Sequence, residues 1–157
     1  METITIHIFQ DDVYNEVAKA TDYTGTKLIG ADATARDRIL IADADLATLG
    51  RFWDESVLAV NENLKSMLVY GATRTGDNKQ PAPHYEAEIE VSKSFDKTLT
   101  DTVESTVRSF FIASIIAQWF KFANKDEAKD YFAQAGEMMD SAERLLYSRR
   151  KPILPSD

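Results

Sequence analysis

The sequence predicts a mainly α-helical fold with a small β element. This is an α+β domain in which a helical bundle of four to five helices surrounds one central apolar helix, plus a two-stranded antiparallel β pair. Three observations predict it. The stretch Val107, Phe110, Phe111, Ile112, Ile115, Ile116, Trp119, Phe120, Phe122 is apolar on nearly every side of a helix, and such a helix must be covered on several sides. The stretch after it has a single apolar stripe: Ala128, Tyr131, Phe132, Ala135, Met138, Met139, Ala142, Leu145, Leu146. Residues 3–9 and 85–91 alternate apolar and polar side chains, which is the pattern of half-buried strands.

In chain order, Ile4, Ile6 and Ile8 face one way and Thr3, Thr5 and His7 the other. Asp11 or Asp12 then caps a short helix carrying Val13, Tyr14, Val17 and Ala18, and Tyr23–Thr26 breaks it. Residues 33–42 form a second short helix capped by Asp32, although Ile39–Ile41 also suits a strand fragment. Asp43 or Asp45 opens a long helix reaching Tyr70, with Leu46, Leu49, Trp53, Val57, Val60, Leu64, Met67 and Leu68 inward at helical spacing. Gly50 inside it costs roughly 1 kcal/mol against alanine, which a close helix crossing would explain.

Residues 71–83 contain glycines, prolines, Asp77 and Asn78, and read as a long surface loop. Tyr85, Ala87, Ile89 and Val91 form one face of the next strand, and Glu86, Glu88 and Glu90 the other. An isolated strand pair is marginal in water, so this strand pairs with residues 3–9 and both lay their apolar faces on the helices. Asp96 caps the central helix, about 97–123. Asn124–Lys125 turns the chain, and Asp126 starts the last helix, to about Ser148. So short a connection makes the two helices antiparallel neighbours. Pro152 forbids further helix. The chain therefore divides into one helical domain, 1–148, and an extended basic tail, 149–157.

Composition narrows the function. A chain of 157 residues buries about two thirds of its unfolded surface. It has no cysteine, which excludes disulfides and thiolate metal sites. A net charge of −8 disfavours non-specific nucleic-acid binding, which depends on neutralising phosphates. The cations are concentrated late, at Arg144, Arg149, Arg150 and Lys151. There they suit either the end of a helix or a docking contact. The start of the chain lacks the features of a signal peptide. The apolar run 107–120 contains Ser109, Ser114 and Gln118 and falls short of the ~20 residues a membrane span needs.

Little in the chain points to catalysis. His7 and His84 fall on the polar faces of the two strands, so strand pairing would bring His7 near His84, Glu86 or Glu88. That is ligand chemistry without the spacing of a metal motif. Asp43 and Asp45 lack the glycine and late glutamate of a calcium loop. The pairs Asp11–Asp12 and Asp54–Glu55 would diverge on a helix, which makes them poor acid/base partners. There is no glycine-rich phosphate loop and no nucleophile elbow. No catalytic, cofactor-binding or metal-ligating residue is assigned. Trp119–Phe122 suits a core better than base stacking. Tyr147 beside Arg149 and Arg150 suits a partner contact.

The segment Ile112–Pro152 combines an apolar helix ending in Trp119–Phe120, the turn Ala-Asn-Lys-Asp-Glu-Ala, a tyrosine-containing helix and Leu-Leu-Tyr-Ser-Arg-Arg-Lys-Pro. In this it resembles the head–tail connector (neck adaptor) proteins of tailed phages and prophages. A short helix at 13–20 and a long one carrying Phe52–Trp53 fit the same layout. The resemblance implies a non-enzymatic virion component, assembled in the bacterial cytoplasm. It would be a homo-oligomeric ring docking on the portal through Arg149, Arg150, Lys151, Pro152, Ile153, Leu154 and Pro155. It implies no cofactor, specific nucleic acid or membrane. The strand pair and the 71–83 loop depart from the simplest connector and leave room for another neck or tail-completion protein. From other classes, the alternatives are a small cytoplasmic helical protein-binding module and a metal-dependent enzyme using His7, His84 and nearby glutamates.

Overall fold

The all-round apolar helix lies at the centre of the fold. A computed structural model describes residues 2–28, 46–75 and 82–150, the side chains of 22–28, 122 and 123 excepted. The elements are β1 (Glu2–Phe9), α1 (Gln10–Leu28), α2 (Leu46–Asn63), β2 (Leu68–Arg74), β3 (His84–Val91), a 3₁₀ turn (Lys97–Leu99), α3 (Thr100–Ala123) and α4 (Lys125–Leu146). The mainly helical fold with a small sheet is as expected. The expected helix at 33–42 and Lys151 onward lie outside the described residues.

Helix α3 is covered on opposite sides. Phe111 meets Trp53 of α2 at 4.7 Å between ring centroids, and Ser114 bonds Ser56 of α2. On the other side Phe120 meets Tyr131 of α4 at 6.0 Å, near Ala113. Positions 111 and 114 share one face of a helix and 113 and 120 the opposite one. Val107, Phe110, Phe111, Ile115, Ile116 and Phe120 are all buried. Each such side chain contributes roughly 1.5–3 kcal/mol. Helix α4 buries Ala128, Ala135, Met139, Ala142 and Leu146 as predicted, but Phe132 is 46% exposed. The side chain that caps α4 belongs to Asn124, which accepts from Glu127 N. Asp126 and Glu127 sit in the first turn, where the helix dipole favours them.

The sheet departs from the expected pair. Among the described residues it has three strands in the order β1-β3-β2, all antiparallel. The expected pairing is present, with Ile4 opposite Ile89, Ile6 opposite Ala87 and Ile8 opposite Tyr85. All six are buried against the helices. The extra strand is taken from the end of the expected long helix and the start of the expected loop. Helix α2 ends at Asn63, the chain turns through Leu64–Met67, and residues 68–74 pair with β3. Val69, Tyr70 and Thr73 are of the β-branched and aromatic types that suit a pleated surface. Gly71 lets the strand approach α2, since a Cβ there would meet Asn61 Oδ1 and Tyr85 Oη.

Two further corrections concern helix lengths and burial. Helix α1 runs through the expected break to Leu28. Gly25 costs such a helix roughly 1 kcal/mol but does not end it, and Val13, Val17 and Thr21 anchor the preceding turns in the core. On α2, Phe52 and Ser56 are buried beside the expected stripe while Leu46 is 51% exposed.

Candidate functional site

The expected docking tail begins differently from the free extension the sequence suggested. After α4, Ser148 O accepts from Asp96 N (3.3 Å) and Arg150 N donates to Ser94 O (2.8 Å). Arg149 forms an antiparallel bridge with Phe95. Ser148–Arg150 are therefore fastened by backbone to the segment between β3 and α3. Phe95 is buried and holds that segment in place. The side chains of Arg149 and Arg150 remain exposed, and Tyr147 is 67% exposed. Tyr147 and Arg149 border a groove of about 340 Å³ with Met67, Val91 and Leu146. On the other side of the bridge, Arg150 joins Lys93 and Lys97 around a second hollow. Of the predicted docking residues, Tyr147 and Arg149 thus border one groove and Arg150 the hollow across the bridge. Lys151, Pro152, Ile153, Leu154 and Pro155 lie outside the described residues.

A second cluster occupies the outer face of the sheet, away from the helices. The register sets His7 opposite Glu86 and Phe9 opposite His84. Across β3, Ala72 stands opposite Glu86 and Arg74 opposite His84. Glu86 is the hub. Its Oε1 lies 3.1 Å from His7 Nε2. Its Oε2 accepts from the Tyr70 hydroxyl at 2.5 Å and from Arg74 Nε at 3.2 Å. The hydrogen bond from Tyr70 holds the Glu86 carboxyl below its ordinary range, helped by His7 and Arg74 and opposed by burial. The same bond pushes the Tyr70 phenol upward, because losing its proton would set an anion against the carboxylate. His84 is 4% exposed, and its Nδ1 lies 2.9 Å from Ala82 O. Its ring stands 5.4 Å from that of His7 and 5.4 Å from that of Phe9.

Strand alternation placed His7, His84 and Glu86 on one face. It does not reach Tyr70 and Arg74, because the helical spacing up to Leu68 and the turn residues after Tyr70 assign 68–74 to a helix and a loop. The signal was present in the spacing of Tyr70, Ala72 and Arg74, which is that of one strand face. At the edge of the sheet, His7 N donates to Glu104 Oε2 of α3 at 3.0 Å, so the central helix satisfies an edge amide.

Among the described residues, no helix is long and apolar enough to cross a membrane. No family model, no curated protein and no solved structure matches this chain.

Proposed function

We propose that this protein is a non-enzymatic virion structural component, a head–tail connector or neck adaptor that forms a ring and docks on the portal through its C-terminal segment. The observation that carries the reading is the anchored exit of that segment. Backbone bonds at Ser94, Asp96, Ser148 and Arg150 fasten the chain to the segment between β3 and α3 as far as Arg150. A segment launched from a rigid base loses less entropy on docking than one on a free tail. Extended backbone with Ile153 and Leu154 as anchors suits addition to a partner's surface.

A ring of identical subunits needs two different surfaces on each copy. Exposed apolar side chains lie on elements covering opposite sides of α3. Leu58 on α2 is 68% exposed and Phe132 on α4 is 46% exposed. These are the candidate ring contacts. The three-stranded sheet exceeds what a plain helical adaptor uses, and it favours another neck or tail-completion component as the second reading.

The test is co-sedimentation with the portal ring of the phage or prophage that encodes the chain. The full chain is expected to sediment with the portal, and a chain ending at Arg150, which keeps the backbone anchor, is expected to stay behind. Equal sedimentation of both would refute docking through the tail. The location of bound protein in electron micrographs separates the two readings.

A further inference from the structure

On the outer face of the sheet, one nitrogen from each of His7 and His84 and one carboxylate oxygen of Glu86 lie within 4.8 Å of one another. The three residues come from two directly paired strands. His7 stands opposite Glu86, and His84 precedes Glu86 by two positions on the same strand face. Such a scaffold holds ligands more rigidly than a loop does.

The surrounding hydrogen bonds prepare His84 and Glu86 for one task each. The Ala82 carbonyl beside His84 Nδ1, at 2.9 Å, can only accept. Nδ1 therefore carries the proton and Nε2 the lone pair. Among the described residues Nε2 has no hydrogen-bond partner. Glu86 Oε2 is committed to Tyr70 and Arg74, which turns Oε1 toward His7 Nε2 at 3.1 Å. A second partner fixing each ligand's free side is the usual arrangement around a bound transition metal. In a tetrahedral zinc site with bonds of about 2.0–2.1 Å, ligand atoms stand about 3.3 Å apart. The His7–Glu86 pair is already at that spacing, and the His84 nitrogen, within 4.8 Å of both, must close by up to about 1.5 Å to complete it.

We infer that His7 Nε2, His84 Nε2 and Glu86 Oε1 form a binding site for one zinc ion, with water in the fourth position on the open side of the sheet. Two imidazoles and a carboxylate are the donor set of open zinc sites, and imidazole selects zinc over magnesium or calcium. Binding exchanges the His7–Glu86 hydrogen bond for metal bonds, with the His7 proton moving from Nε2 to Nδ1, and clamps edge strand β1 to β3. Arg74 sits on the far carboxylate oxygen and leaves the zinc-facing one free. This inference is independent of the proposed virion role.

The test is calorimetric titration of zinc into the full chain, with any purification tag removed and folding checked by circular dichroism. The full chain is expected to bind one equivalent. His7→Ala and His84→Ala are each expected to weaken binding at least tenfold. Tyr70→Phe, which keeps every ligand, is expected to weaken it roughly 10–100-fold. Glu88→Gln, on the neighbouring outward position, is expected to leave it unchanged. No zinc uptake by the folded full chain, or undiminished affinity in the histidine variants, would overturn the assignment. If His84→Ala fails to fold, the half-exposed His7 position decides alone.

Discussion

Ser56 Oγ lies 3.0 Å from Ser114 Oγ, with both serines buried where α2 crosses α3. Ser56 Oγ also lies 2.9 Å from the Phe52 carbonyl, and Gln118 Nε2 donates to Ser114 Oγ at 3.3 Å. Each hydroxyl has one proton. When Ser56 donates to Phe52 O, Ser114 donates to Ser56. This small polar chain fixes the crossing inside an otherwise apolar contact. Removing one hydroxyl leaves a buried partner unsatisfied, whereas removing both removes the need. Ser114→Ala is expected to cost about 1–2 kcal/mol. The double variant with Ser56→Ala is expected to cost less than the sum of the single variants, as urea unfolding would measure. Additive costs would show that the two hydroxyls act separately.

Gly71 is expected to tolerate no side chain. A Cβ at this position would lie 2.5 Å from Tyr85 Oη and against Asn61 Oδ1. Those two atoms are themselves bonded at 2.6 Å, and Asn61 Nδ2 donates to Gly71 O at 3.0 Å. Gly71→Ala must therefore break a bonded pair that ties β2 and β3 to α2. The expected loss is about 1–3 kcal/mol, read as a lower thermal midpoint. Gly50→Ala, where a Cβ meets nothing within 4 Å, is expected to leave stability unchanged or raise it by about 1 kcal/mol.

Two of the aromatics of α3, Phe111 and Trp119, are not equivalent. Phe111 is fully buried between Trp53 and Tyr85, at 4.7 and 5.4 Å, while Trp119 is only partly buried. Phe111→Ala is expected to cost about 3–5 kcal/mol, and Trp119→Ala less, although tryptophan is the larger side chain. Chemical denaturation of both variants checks the order.

Glu86 gives the protein a defined acid sensitivity. Its carboxyl is held below the ordinary value of 4.5, chiefly by the hydrogen bond from Tyr70. The folded state then binds this proton less readily than the unfolded chain does. Its contribution is fully present above that ordinary value and is lost as pH falls through the lowered folded one. Tyr70→Phe is expected to be less stable than the natural chain near neutrality. The difference is expected to shrink as pH falls below about 4.5 and through the lowered folded value, where the carboxyl protonates in both states. A gap that stays constant with pH would remove Glu86 from the explanation.

The elements written in side chains were legible in the sequence. Helix α3 stood out because Phe110, Phe111, Ile115, Ile116 and Phe120 surround it, and the strands stood out through Ile4, Ile6, Ile8 and Tyr85, Ala87, Ile89. Strand β2 was hidden because Leu64, Met67 and Leu68 keep helical spacing through a turn that ends the helix. Phe52 and Ser56 escaped because α2 is covered more widely than one stripe, being packed by both α3 and β2. The fastening of Ser148–Arg150 could not be read at all. It uses main-chain atoms of Ser94 and Asp96, which leave no mark on residue type. The outer-face cluster was partly visible: alternation gave His7, His84 and Glu86, while the strand-face spacing of Tyr70, Ala72 and Arg74 was obscured by the helical spacing that runs on to Leu68.

The most direct test of the proposed role is particle assembly in a host whose copy of this protein ends at Arg150. The truncated chain keeps the core and its backbone anchor, so it is expected to accumulate in folded form. The particles are expected to be heads without tails. Normal numbers of tailed, infectious particles from that host would contradict docking through the C-terminal segment.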